Sequence, residues 1–181
     1  VNTGIMVVEN GLLKNCLARL NNQNAQGEYY LTDIIAMAVA DGYEVASEMV
    51  TDESSVEGVN CKQDLAALER VYQSRQAAAL LQRGVTIRDP HRLDIRGEIE
   101  VGQDVEIDIG CVFEGKVILG DGVKIGAYCV IKDTTVGLGT AIAPFTHTDQ
   151  VSIAANCKIG PYARLRPGTV LQDEAHVGNF V

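Results

Sequence analysis

The sequence has no run of eighteen or more apolar residues and no basic, apolar, small-residue leader. Their absence argues against a membrane span and a signal peptide, and sets the expectation of a soluble, cytoplasmic protein without membrane insertion. There is no CxxC pair; the five cysteines stand apart at Cys16, Cys61, Cys111, Cys129 and Cys157. With three of them in an apolar setting, they read as reduced core residues rather than disulfides or metal ligands. Nor is there an excess of basic charge: 24 acidic side chains against 15 Lys and Arg give a formal net charge of -9, which disfavours nonspecific nucleic-acid binding. No GxGxxG or Walker-type GKS segment is available to cradle phosphates.

What is present is a short period. An aliphatic or aromatic residue returns every six positions at Val101, Ile107, Phe113, Leu119 and Ile125, and again at Ile153, Ile159, Leu165, Leu171 and Val177. No single hexapeptide can bury its own apolar residue, so stacked units must share one continuous core, as in a parallel β-helix. Four residues after each leading position stand small or β-branched side chains, among them Val105, Cys111, Val117, Val123, Cys129, Cys157, Ala163, Thr169 and Ala175. They suit a narrow interior beside a tight corner. Between Ile131 and Ile153 the register slips, and the position after Ile142 is the polar Thr148; the spacing predicts a loop or distorted coil there.

The stretch before the repeat has a different texture. Val1 to Val8 reads as a strand with an Asn-Thr-Gly turn, and Leu31, Ile34, Ile35 and Ala38 share one helical face that Gly42 can end. From Lys62 to Arg83 there is neither glycine nor proline, which predicts a long linker helix. The opening strand has no obvious neighbours, and the last repeat stops at Val181 without a polar cap. Both ends are expected to be cut from something longer.

The order of these pieces, with VNTG at residues 1–4, NAQGEYYLTD, VEGVN ending at Asn60, LERVYQS, RDPHRLDIRG, IGPYARLRPG and HVGNFV, resembles a family spanning essentially the whole chain. That family is the bacterial bifunctional N-acetylglucosamine-1-phosphate uridyltransferase and glucosamine-1-phosphate acetyltransferase. The resemblance implies an α/β nucleotidyltransferase (Rossmann-like) C-terminal piece at residues 1–62, a linker helix at 63–83, and the N-terminal part of a left-handed parallel β-helix acetyltransferase domain at 84–181. It further implies a homotrimer that makes UDP-N-acetylglucosamine for peptidoglycan and lipopolysaccharide precursors. Acetyl-CoA would acetylate glucosamine-1-phosphate, and UTP would then uridylylate the product with magnesium to neutralise phosphates. The resemblance places the nucleotide loop, the partner metal aspartate and the histidine base outside this chain, so the chain alone is expected to be inactive.

Three residues carry the family's site assignments. Asn2 matches the asparagine that contacts the N-acetylglucosamine moiety; by composition alone an Asn before Thr-Gly forms a turn. Asn60 matches the asparagine that binds magnesium and the nucleotide sugar, although Asn60 with Gln63 also reads as a capping box opening the long helix. One asparagine can serve both. Arg166, directly after the leading Leu165, matches an arginine that grips the sugar phosphate, a task suited to a planar guanidinium; the alternative is a solvated corner arginine. Arg164 has no such warrant. His91, His147 and His176 show no HxxxxH spacing and read as exposed residues rather than metal ligands. The alternative function is a noncatalytic hexapeptide scaffold or regulatory subunit.

Overall fold

The computed structural model describes residues 3–181 and divides into two compact units, Val1–Asn60 and Cys61–Val181. In the first, α1 (Asn10–Arg19) starts where the Glu9 carboxylate accepts hydrogen bonds from the Gly11 and Leu12 N–H groups, each at 2.8 Å. The helix dipole favours an anion there. The second helix, α2 (Asp33–Ala40), is followed by Gly42 at φ +83°. Cys16, Ile34 and Ala38 are buried, whereas Leu31 and Ile35 are exposed, so only half of the expected helical face packs inward.

The strand expected at residues 1–8 does not form among the described residues, where 3–9 carry no regular structure and Ile5 and Val7 are exposed. A strand needs a partner ladder, and the described residues of this unit contain no strand at all.

The second unit opens with α3 (Lys62–Gln82), which lays Ala77 and Leu80 into the core of the repeat. Its most informative side chain is polar. Gln73 is 2% exposed; its Oε1 accepts from the Ile95 N–H at 2.7 Å, and its Nε2 donates to the Ile95 carbonyl at 2.9 Å. Ile95 lies in strand Leu93–Val101, which among the described residues pairs only with Cys111–Leu119 and therefore has an open edge. The Gln73 amide imitates the missing strand there. Arg83 donates to the Val101 carbonyl at 3.1 Å, and Arg70 forms an ion pair with Asp94. An edge covered this way cannot template another chain.

Beyond α3 the chain winds as a parallel β-solenoid in which leading residues stack in three ladders. One runs Ile87, Ile107, Ile125, Ile142, Ile159, Val177. The next runs Ile95, Phe113, Ile131, Thr148, Leu165, and the last Val101, Leu119, Val136, Ile153, Leu171. Most of these are buried, fading to half-buried at Leu171 and Val177. Each fully buried aliphatic contributes about 1.5–3 kcal/mol before entropy.

The register slip is a distorted coil rather than a loop. Strands Val130–Lys132, Thr135–Val136, Ala141–Ile142 and His147–Asp149 all pair in register with their neighbours. The shortening is taken up in the corners, and Thr148 fills its ladder position at 0% exposure because its hydroxyl lies 3.0 Å from that of Thr134. A buried hydroxyl with a partner costs little. Interior thiols are satisfied similarly: Cys111 donates to the Gly126 carbonyl at 3.2 Å, Cys129 to that of Ala143 at 3.2 Å and Cys157 to that of Gln172 at 3.1 Å. All five cysteines are free.

On the outside of one corner, Tyr128, Phe145, Tyr162 and Phe180 stack with centroids 5.4, 5.0 and 5.4 Å apart. All four adopt positive φ, a conformation an isolated non-glycine residue avoids. The next rung is Gly110, where a Cβ would lie 2.5 Å from the Tyr128 ring.

Replacing Gln73 by Leu should orphan the Ile95 N–H and carbonyl and destabilise the second unit by about 1–3 kcal/mol for each group. Urea unfolding of the two proteins checks this; equal midpoints would remove the edge-capping role. Burial pushes the Cys111 thiol up to about 11 and that of Cys129 up to about 12. A thiol whose folded value is raised keeps its proton where the unfolded chain has lost it, so stability should fall as pH climbs from about 9 through those values. Thiol labelling of the native chain at pH 8 should modify exposed Cys61 and spare Cys111 and Cys129, and thermal melts between pH 8 and 11 should show the decline.

Candidate functional site

The corner after the second ladder is built differently from one coil to the next. In two successive coils one residue separates the outward side chain from the next inward one: Lys132, Asp133, Thr134, then Asp149, Gln150, Val151. In the next coil Arg166 follows Leu165 as Asp149 follows Thr148, and Thr169 precedes Val170 as Val151 precedes Ser152. Two residues, Pro167 and Gly168, stand between them. The Arg166 corner is one residue wider than these two and as wide as that of the coil before them, where Gly115 and Lys116 stand between Glu114 and Val117.

Its geometry follows from Pro167 and Gly168. Proline fixes φ at the first central position of a turn and glycine accepts positive φ at the second, the chemistry of a type II turn. Gly168 has φ +83°, and the Thr169 N–H donates to the Arg166 carbonyl at 3.1 Å, closing the turn. The Thr169 hydroxyl donates to the same carbonyl at 2.7 Å, and the Gly168 N–H donates to the Gln150 carbonyl at 3.0 Å, tying the turn to the coil before it.

Along the outer face leading to this corner, charges alternate rung by rung. Arg96 pairs with Glu114 at 3.1 Å, and Lys132 with Asp149 at 3.6 Å. By register Arg166 is the next charge after Asp149, yet its exposed guanidinium has no ion pair among the described residues. A cation in a pair must surrender it to bind an anion; Arg166 need not. Arg164 lies in strand Arg164–Leu165 in register with His147, His176 lies in register with Lys158, and His91 stands in the short turn Pro90–Arg92. The structure does not gather the three histidines.

Of the other sequence-derived candidates, Asn2 lies outside the described residues, and Asn60 is exposed at the end of the first unit. Asn60 and Gln63 do not form the expected capping box. The N-cap of α3 is Cys61, whose Sγ accepts from the Asp64 N–H at 3.4 Å while the Asp64 carboxylate accepts from the Cys61 N–H at 3.0 Å. The box is displaced by one residue because Asp64 reaches back better placed than Gln63, and its charge favours the positive helix end. Thr169 occupies the small-residue column as expected, half-buried, but its grip on the Arg166 carbonyl is invisible to spacing.

A family model described as the GMPPB C-terminal domain matches residues 95–181. All 181 residues align with proteins named bifunctional protein GlmU, at 65% identity in Methylobacillus flagellatus, 56% in Chromobacterium violaceum and 55% in Janthinobacterium sp. (strain Marseille). Over its whole length the chain is thus similar to part of these GlmU proteins. It spans about 40% of the length of these relatives.

The magnesium expectation can be tested against the donors present. An octahedral magnesium site wants hard oxygen ligands, usually with one or two carboxylates. Asn60 offers one amide oxygen, Asp64 is engaged by the helix cap, and no group of three or more His, Cys, Asp or Glu side chains converges among the described residues. The described residues do not by themselves make a magnesium site. No helix among them is long and apolar enough to cross a membrane.

Cys61→Ala should cost about 0.5–1 kcal/mol through loss of the cap. Melting curves of the variant and the unaltered chain check this, and equal midpoints would remove the capping role of Cys61.

Proposed function

We propose that this chain serves a bifunctional enzyme that makes UDP-N-acetylglucosamine, with Arg166 holding the phosphate of glucosamine-1-phosphate during acetyl transfer from acetyl-CoA. Asn60 and Asn2 serve the separate uridylyl transfer from UTP, Asn60 touching the nucleotide sugar. The observation that carries the reading is an exposed guanidinium that has no ion pair among the described residues, in a row where Arg96 pairs with Glu114 and Lys132 with Asp149. Arg presents a planar fork that matches a phosphate bidentately. Similarity to GlmU proteins over the full chain supports the substrate class.

The chain's own residues contribute binding and orientation. Arg166 would fix the phosphate end of the sugar on a rigid ladder, so that the amine at the other end meets the acetyl donor in a repeatable geometry. Magnesium, when bound, neutralises phosphate charge in uridylyl transfer; Asn60 would supply one oxygen, and the remaining ligands are not among the described residues. A left-handed winding, a trimeric assembly and a cytoplasmic setting complete the proposal, each resting on the family resemblance.

A chimera in which this chain replaces the aligned stretch of the Methylobacillus flagellatus GlmU tests the assignment. Arg166→Ala should lower acetyl transfer about tenfold to a hundredfold, the cost of a charge-assisted phosphate contact, and spare uridylyl transfer. Asn60→Ala should do the reverse. If both variants stay folded and each lowers both activities equally, the two-site assignment is wrong.

A further inference from the structure

We infer that the aromatic ladder of Tyr128, Phe145, Tyr162 and Phe180 is a contact surface for a second copy of this chain. The inference rests on the reading that the protein assembles, and adds the surface through which it does so.

The three corners of the solenoid share one backbone demand, a residue at positive φ. Two of them meet it with glycine or polar side chains, such as Asp133 and Gly168 at one and Asp104 and Asn156 at the other. Glycine, Asn and Asp suit that conformation, whereas bulky side chains avoid it. The third corner departs from this: above Gly110 it carries four aromatic rings in succession. Local backbone preference therefore does not select these rings. Even stacked, Tyr128, Phe145 and Tyr162 remain 46%, 48% and 49% exposed, and Phe180 79%.

The flanks of the ladder are uncharged as well. Elsewhere on the outside of the solenoid, neighbouring coils set opposite charges side by side, Glu106 with Lys124 at 2.7 Å and Arg96 with Glu114 at 3.1 Å. Beside the ladder, Gly126–Ala127, Ala143–Pro144 and Gly160–Pro161 precede the first three rings, Val130 and His147 hold the next outward positions, and charge returns only at Arg164. A Phe or Tyr side chain carries about 150–250 Å². Four of them half-exposed leave roughly 300–500 Å², comparable to the largest apolar patch on a typical monomer. A stable pair buries roughly 800 Å² a side, so the partner must also cover these flanks, and their small residues let it approach.

The spacing of the rings selects that partner. They recur once per coil, with centroids 5.0–5.4 Å apart, so a partner must match this repeat over several coils to touch every ring. Like-facing residues of an extended peptide stand roughly 6.5–7 Å apart and fall out of step. A second copy presents the same ladder at the same spacing on an equally rigid frame, and contact through one shared patch closes about a symmetry axis.

The test is sedimentation velocity of the whole 181-residue chain over a concentration series, with circular dichroism melts to establish that each variant is folded. The unaltered chain should associate reversibly. Asn suits positive φ, so Phe145→Asn removes a ring without asking the corner to change; it should raise the dissociation constant about tenfold or more, as loss of a central interface aromatic does. Val130→Lys leaves every ring in place, reads the same surface from its flank, and should weaken association similarly. Leu138→Asn, at an exposed leucine of a different corner, should leave it unchanged. If Phe145→Asn and Val130→Lys associate as the unaltered chain does, the ladder serves only its own stacking and the inference is overturned, while assembly stands on another surface. If Leu138→Asn weakens association as much as they do, general apolar adhesion is responsible and the inference is again overturned. If the unaltered chain stays monomeric at every concentration, the assembly reading falls and this surface with it.

Discussion

Backbone pairing between successive coils is the constraint on which the second unit depends. Every coil satisfies its N–H and carbonyl groups on the coils before and after it, so every interior residue must return to its ladder position each turn. The first coil has no predecessor, and an uncovered parallel edge is both unsatisfied and sticky. Gln73 resolves this with a side-chain amide that offers one donor and one acceptor, the pair that the backbone of Ile95 requires. A hydrophobic residue at position 73 would pack equally well and leave the edge open. Burying glutamine in an apolar interface therefore stabilises the assembly only because both of its polar atoms are matched.

Given fixed ladders, variation is confined to the corners. Phe113 and Ile131 pair eighteen residues apart, Ile131 and Thr148 seventeen, and Ile153 and Leu171 eighteen again. A residue gained or lost at a corner leaves the rungs on either side in register, because the corner sits outside the hydrogen-bonded strands. The interior tolerates a polar residue where a neighbour can pair with it, as Thr148 does with Thr134. It does not tolerate a lost register, since a one-residue shift would turn an entire strand inside out.

The periodic part of the fold was legible in the sequence for this reason: a buried column repeats wherever the chain returns to it, and Ile107, Phe113, Leu119 and Ile125 announce it. The corner shortening was legible only as a slip, because periodicity reports that spacing has changed and not where the change is absorbed. Gln73 gave no signal, since a glutamine on a long helix looks the same whether it faces solvent or an open sheet edge. At the start of α3, spacing favoured Asn60 and Gln63, but capping depends on which carboxylate can reach back, and Asp64 beside Cys61 does so. The strand expected at residues 1–8 needed a neighbouring ladder that local pattern could not supply. Of the site, Arg166 was legible through its motif, whereas its lack of an ion pair depends on the charges of neighbouring coils, which are distant in sequence.

A solenoid offers a particular way to make a binding residue. Side chains on its flat faces meet the rungs above and below, so a cation there is drawn into pairs such as Arg96 with Glu114 and Lys132 with Asp149. Screened surface pairs of this kind contribute little to stability, but each occupies a charge that could otherwise meet a ligand. Adding one residue at a corner changes the surroundings of a single side chain while the ladders resume immediately, as Ser152 with Val170 and Ile153 with Leu171 show. Proline and glycine are the residues that make such an addition stiff rather than loose, one by fixing φ and the other by accepting a positive value. The corner that returns from the narrow spacing to that of Glu114–Val117 thus holds an arginine without an ion pair among the described residues, and the change is confined to four residues of a frame that otherwise repeats.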